Sequence, residues 1–217
     1  MTCCSGSPFQ STASQHFDRA KVAGELKRYR ENGLGPTTRL LVDGIAESGT
    51  LGGSVIDVGA GIGSLALALL ERGASSAVMV DASAAYVEAA RGEAAGRGCA
   101  DKIRVVHADF VAAASRIEAA TVVTLDRVVC CYPSFEPLLD AAAARAERCL
   151  ALSYPRDRWY VRAGMGLENG RRWLARNPFR TVVHPVAAID ALITRAGFRL
   201  ASRRETWMWS VDVYVRR

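Results

Sequence analysis

VIDVGAGIGS, residues 55–64, is a short β-rich run that breaks at three glycines and gives way to the Ala- and Leu-rich SLALALLERG of residues 64–73. A turn between a strand and a helix needs residues without Cβ where the backbone bends tightly or must approach a ligand closely. Gly59, Gly61 and Gly63 supply them. Asp57 precedes the turn, and Asp81 closes the next β-rich run, AVMVD at 77–81, where a carboxylate can accept hydrogen bonds from ribose hydroxyls. The combination describes a nucleoside site. A nicotinamide or flavin fingerprint, GxGxxG, fits less well: the glycines fall as GxGxG, Leu65 follows Ser64, and more than fifty residues precede the motif.

Outward from this stretch the chain alternates β-rich and helical segments, the pattern of a mostly parallel sheet covered by helices on both faces. The periodicity predicts strands at 54–58, 77–81, 103–107, 121–125 and 149–153, with crossover helices over 64–72, 83–97, 110–119 and 134–148. A helix over 185–196 and two closing strands, 199–203 and 207–215, are expected to end the chain. Alternation of Trp207, Trp209, Val211, Val213 and Val215 predicts one buried face and an antiparallel pairing for the last strand. Helices are expected over 17–31 and 37–48 as well, with Thr37 or Thr38 as N-cap. The 155–184 segment lies outside the alternation and is expected to form a lid or substrate wall.

The chain has 217 residues, half of them hydrophobic and 23% charged, which suits one domain with a substantial core. No apolar run approaches the roughly 18 residues of a membrane span. The first fifteen residues carry neither a basic start nor an apolar stretch, so they are not read as a secretory signal, and a cytoplasmic location is expected. The six cysteines, at 3, 4, 99, 130, 131 and 149, show no CxxC spacing and are expected to be thiols. The net charge of +6 sits in the last third, where residues 154–217 hold 13 basic and 5 acidic side chains. An anionic substrate, a nucleic acid or a membrane surface could meet such a segment, although arginines on solvated helix faces are the commoner reason.

VIDVGAGIGSLALALLERGA, AVMVD, VVHADF and TVVTLD together resemble the class I S-adenosylmethionine-dependent methyltransferases over about residues 50–154. The resemblance implies an α/β, Rossmann-like fold whose seven-stranded, mostly parallel sheet has its last strand antiparallel and inserted between the fifth and sixth. Residues 1–50 would then form an N-terminal arm with cap helices, and 51–217 the cofactor-binding unit. It also implies S-adenosylmethionine as cofactor. Gly59, Ala60, Gly61 and Gly63 would line its methionine side, with Asp57 beneath the turn and near the ammonium group. Asp81 and Ala82 would hold the ribose, and Asp109 and Phe110 the adenine. Leu125 and Asp126 would face the methionine and the acceptor. Segments DRVVCCYP and YPRDRW, with the N-terminal FDRAKVAGELKRYRENGLGPTTRLLVDGI, resemble a group of small bacterial methyltransferases, and a fainter likeness runs to magnesium-protoporphyrin methyltransferases.

Methyl transfer from a sulfonium is an in-line displacement, so the protein must align the acceptor and exclude water. Asp126 is the first candidate for a base or acceptor-orienting group, its structural alternative being a partner for Arg127 or a helix cap. Tyr132 and His184 follow as second candidates. Arg156, Arg158 and Arg162 with Trp159 and Tyr160 could form a cationic, aromatic acceptor pocket, or decorate a helix; Tyr29, Arg30 or Arg39 could reach a carboxylate. A small-molecule acceptor is the expected partner. Two other readings stand beside it: a nucleic-acid methyltransferase, disfavoured because no Asn/Asp-Pro-Pro-Tyr/Phe segment follows the fourth strand, and a thiol site for a metal or metalloid built from Cys3, Cys4, Cys130 and Cys131.

Overall fold

The computed structural model describes residues 7–132 and 134–217. In chain order the elements are α1 (Pro8–His16), α2 (Arg19–Asn32), α3 (Pro36–Glu47), β1 (Ser54–Val58), α4 (Ser64–Glu71), β2 (Ser76–Asp81), α5 (Ala84–Gly96), β3 (Ile103–His107), α6 (Phe110–Ala113) and β4 (Ala120–Asp126). They continue as α7 (Glu136–Arg145), β5 (Ala146–Pro155), α8 (Trp159–Leu174), α9 (Val186–Arg195), β6 (Phe198–Glu205) and β7 (Trp209–Arg216). The sheet order is β3-β2-β1-β4-β5-β7-β6, with β7 antiparallel to both β5 and β6. This is the Rossmann-like methyltransferase architecture expected from the sequence.

One face of the sheet is packed by α3, α4 and α5 around Leu41, Ile45, Leu67, Leu69 and Met79; the other by α7 and α9 around Leu138, Leu139, Ile189 and Ile193. Because both faces are covered, β1 and β4 are buried along nearly their whole length rather than at alternate residues. The same holds for β7, contrary to the expected single buried face: Ser210 through Tyr214 are all buried. Val211 and Val213 pack toward α3, while Asp212 on the other side accepts from Arg203 at 2.7 Å and from the hydroxyls of Tyr154 and Ser210. Trp207 lies outside the strand and is exposed.

Other expectations change too: Thr37 and Thr38 lie inside α3, whose N-cap is Gly35 with Pro36 in the first turn. The helix over 110–119 shrinks to the single turn of α6 followed by a 3₁₀ turn at Ala114–Arg116, because the backbone is already extended at Ile117 and β4 begins at Ala120. The helix α1 was not foreseen, although its start carries a local signal: the Ser7 hydroxyl accepts from the Gln10 amide and Pro8 occupies the first turn. No described helix is long and apolar enough to cross a membrane.

Candidate active site

β1 and β4 are adjacent but lead to helices on opposite faces, so a crevice opens beyond their carboxyl ends. The glycine turn sits there. Gly59 and Ala60 amides both donate to the Val80 carbonyl, at 2.7 and 3.2 Å, which ties the turn to β2. Gly59 has φ +63°, and a Cβ on it would come within 2.5 Å of Val128, the residue that closes in from the end of β4. Gly61, at φ +57°, donates its amide to Asp81 Oδ2 at 2.8 Å, and the Ser83 amide donates to Oδ1 at the same distance. A carboxylate offers roughly four lone-pair directions, so acceptor capacity remains for ligand hydroxyls.

Asp57 is fully buried. Thr124 donates to its Oδ1 at 2.7 Å, and Oδ2 has no hydrogen-bond partner among the described residues. Burial pushes its pKa up to about 7 and that of Asp81 up to about 6. Both carboxylates, with Gly59, Ala60 and Gly61, line one cavity of about 440 Å³, within the size range of small-ligand sites. An unpartnered buried oxygen asks for a donor, and a cationic one best. The ammonium of S-adenosylmethionine at Asp57 and its ribose hydroxyls at Asp81 fit these residues.

The raised pKa of Asp57 has a stability consequence. Unfolded, an aspartate titrates near 3.9, so between about pH 4 and pH 7 the folded ligand-free protein holds a proton that the unfolded chain has lost, and stability falls as pH rises through that window. Asp57→Asn is therefore expected to melt higher than the wild type near pH 7.5 and to lose that advantage as pH falls toward 4. A melting series across this range checks it; an advantage independent of pH would remove the buried charge as its cause.

The roof comes from elements remote in sequence. Phe9, Ala13 and His16 of α1 line the cavity with Phe17, and Met165, Glu168 and Arg172 of α8 form a wall with Phe179. Ser14 donates to the Ala82 carbonyl at 3.1 Å, Ser83 donates to the Phe17 carbonyl at 2.9 Å, and Phe9 stacks on Tyr132 with centroids 4.1 Å apart. The two halves meet where the His16 and Phe179 rings stack at 4.1 Å. Burial, then the charges of Lys21 and Arg172, lower the His16 pKa to about 4, which keeps the ring neutral at pH 7.

Of the residues singled out from sequence, Asp57, Gly59, Ala60, Gly61, Asp81, Ala82, Phe110, Asp126, Cys130, Cys131 and Tyr132 line this cavity. Asp126 accepts from Ser153 at 2.5 Å and from Thr38 at 2.6 Å. Four others stand elsewhere. Gly63 packs on Met79, and Leu125 lies inside the core. Asp109 caps α6 and accepts from the hydroxyls of Tyr132 and Ser7, each at 2.7 Å, so its carboxylate is already engaged. His184 is buried, hydrogen-bonded through Nε2 to the Tyr132 carbonyl at 3.0 Å and packed on Phe135. It holds the segment bearing Tyr132 from behind.

The arginine and aromatic group expected after the fifth strand does not form an acceptor pocket there. Arg156 pairs with Glu205, Arg162 with Asp157, and Tyr160 stacks on Trp207. Tyr29 lies against Arg97, Arg30 pairs with Glu93, and Arg39 donates to the Leu34 carbonyl. The Cys130 and Cys131 sulfurs are 3.9 Å apart, Cys3 and Cys4 lie outside the described residues, and no three-ligand metal cluster occurs among those described.

The sequence matches the family model of the methyltransferase small domain over residues 21–125, just under half of the chain. No curated protein matches it. Among solved structures it is similar to magnesium protoporphyrin IX methyltransferase from Synechocystis PCC 6803 with bound S-adenosylhomocysteine, at TM-score 0.70 and 21% identity over 94% of this chain and 96% of that one. It is similar also to an O-methyltransferase family protein from Burkholderia thailandensis, at TM-score 0.71 and 17% identity over 94% of this chain and 63% of that one. A Pyrococcus horikoshii protein ascribed to RNA methylation gives TM-score 0.59 and 16% identity over 82% and 81%. At identities this low the structural likeness speaks for the fold.

Proposed function

We propose that this chain, a class I S-adenosylmethionine-dependent methyltransferase, methylates a small, flat, largely apolar molecule. The observation that carries the reading is the roof: the cavity lined by Asp57 and Asp81 is lined as well by residues of α1 and α8, with Phe17, Phe179, Met165 and Tyr132 among its apolar walls. A molecule of metabolite size can enter such a space, whereas a nucleic acid would first have to displace α1 or flip a base beneath it.

When bound, S-adenosylmethionine supplies an electrophilic methyl group on a sulfonium. Asp57 would hold its ammonium end, Asp81 its ribose and Phe110 its adenine. Asp126, fixed by Thr38 and Ser153, lines the cavity and would take or orient the acceptor's proton. Arg172, on the cavity wall, is paired with Glu168 at 3.3 Å, so an anionic substituent of the acceptor would have to share the guanidinium with that carboxylate. The aromatic walls exclude competing water. The cytoplasm, where Cys130 and Cys131 stay reduced, is the compartment this reading assumes.

The nucleic-acid reading keeps one supporting observation, the 13 basic against 5 acidic residues of the last third. Incubation with methyl-labelled S-adenosylmethionine separates the two, using a cell metabolite extract, a panel of aromatic carboxylic acids and phenols, total RNA and duplex DNA. Label is expected in the small-molecule fraction only. Label confined to RNA or DNA would overturn the proposal.

A further inference from the structure

Amphipathic helices of globular proteins turn their apolar stripe to the core. In α8 the stripe faces out. Val161, Met165, Glu168 and Arg172 form its inner face; Val161 is buried and the other three line the cavity. At 100° per residue, Trp159, Ala163, Leu167, Gly170 and Leu174, with Trp173 at the edge, share an outward arc of roughly 120° that holds no ionisable side chain. Trp159, Leu167, Trp173 and Leu174 are between 69% and 81% exposed. Trp207, 72% exposed in the β6–β7 turn, stacks on Tyr160 and extends the patch past the helix N-terminus.

A tryptophan side chain offers 150–250 Å², so the three tryptophans alone leave roughly 300–550 Å² uncovered, already the size of the largest patch on a typical monomer. Charge decides what covers it. Residues 156–180 contain seven arginines and two acidic residues. Arg156, Arg162 and Arg172 are paired with carboxylates, while Arg158, Arg171 and Arg176 are exposed and have no carboxylate partner among the described residues. A second copy related by a twofold axis would set this positive surplus against itself. RNA could stack on the tryptophans but would find no use for Leu167 and Leu174. A surface of anionic phospholipid satisfies both components: indoles and leucines enter the boundary between headgroups and acyl chains, and the flanking guanidinium groups meet the phosphates.

We infer that the outward face of α8, with Trp207, docks the protein on an anionic membrane surface. The opposite face of the same helix walls the cavity, so the docked surface and the ligand site are one helix diameter apart, about 10 Å.

Sedimentation of the full chain with vesicles of phosphatidylcholine alone, or with about one-third phosphatidylglycerol, tests this by lipid binding alone. Partition onto the anionic vesicles is expected, with a blue shift of tryptophan emission and loss at high salt; binding to neutral vesicles should be far weaker. Trp159→Ala/Trp173→Ala should lower partition at least about tenfold, and Arg171→Glu about threefold to tenfold, while S-adenosylmethionine affinity by calorimetry stays at the wild-type value and shows that both variants are folded. Failure to bind anionic vesicles would overturn the inference, as would equal binding by the double variant. A concentration-dependent dimer, or salt-sensitive RNA binding, that the double variant abolishes in place of lipid binding would give this face to another partner and overturn it as well.

Discussion

Asp126→Asn is expected to lower turnover by about 10²- to 10⁴-fold, the loss typical of a removed acid–base group, and to leave S-adenosylmethionine affinity near the wild-type value. The carboxylate sits at the end of β4, where the following residue, Arg127, is in the left-handed region at φ +61°. A non-glycine residue is kept there only by its surroundings. The Arg127 amide donates to the Ser153 hydroxyl at 2.8 Å, and that hydroxyl donates to Asp126 Oδ1. Thr38, reaching over from α3, holds Oδ2. Each oxygen thus has one hydrogen-bond donor and a lone pair left over, with the Arg127 guanidinium 3.8 Å from Oδ1, on a side chain that lines the cavity. Asparagine keeps the shape but cannot take a proton, and both hydroxyls can rotate to suit its amide. Single-turnover rates across pH distinguish base from positioner. A base gives the wild type an acidic limb that the variant lacks, with the loss in the chemical step. A loss confined to KM would show that Asp126 only orients the acceptor, and unchanged kinetics would take it out of the mechanism.

The parts of this site that a reader of the sequence can find are those where one local pattern carries the whole requirement. Asp57, the Gly59–Gly63 turn and Asp81 are such a case: strand, turn and helix follow one another within thirty residues, and each residue type has a backbone or lone-pair reason to be where it is. The roof is not. His16 and Phe179 meet across more than 160 residues, and nothing local in either segment announces the partner. Arg156, Arg158 and Arg162 follow the fifth strand closely enough to look like pocket residues, yet helix phase decides which side chains face the cavity. In α8 it selects Met165, Glu168 and Arg172, residues that no motif marks. Asp109 shows a different limit. Its position after β3 is the one the family resemblance points to, but whether a carboxylate is free for a ligand depends on Tyr132 and Ser7, which only the folded chain brings to it. In β7, a buried Asp212 broke the inference from alternation because its charge is met by Arg203 on the neighbouring strand.

Asp81→Ala is expected to weaken S-adenosylmethionine binding by roughly 10²- to 10⁴-fold, because charge-assisted hydrogen bonds contribute about 1.5–3 kcal/mol each and two ribose hydroxyls would lose their acceptor. The variant disturbs the protein as well. Gly61 and Ser83 amides both donate to this carboxylate, so the turn loses one of its contacts with β2, at Gly61, and keeps those of the Gly59 and Ala60 amides to the Val80 carbonyl. Burial works the other way: it holds the Asp81 pKa up at about 6, and removing a carboxylate whose charge is costly there offsets part of the lost hydrogen bonding in the ligand-free protein. The stability change should therefore be smaller than the binding change, and calorimetry beside melting reads both. Adenosine supplies the internal control. It carries the ribose without the amino-acid end, so Asp81→Ala should weaken adenosine and S-adenosylmethionine alike, whereas Asp57→Asn should weaken S-adenosylmethionine and spare adenosine. If Asp81→Ala bound both ligands as the wild type does, the carboxylate would be a brace for the glycine turn and the ribose would have to be held elsewhere in the cavity.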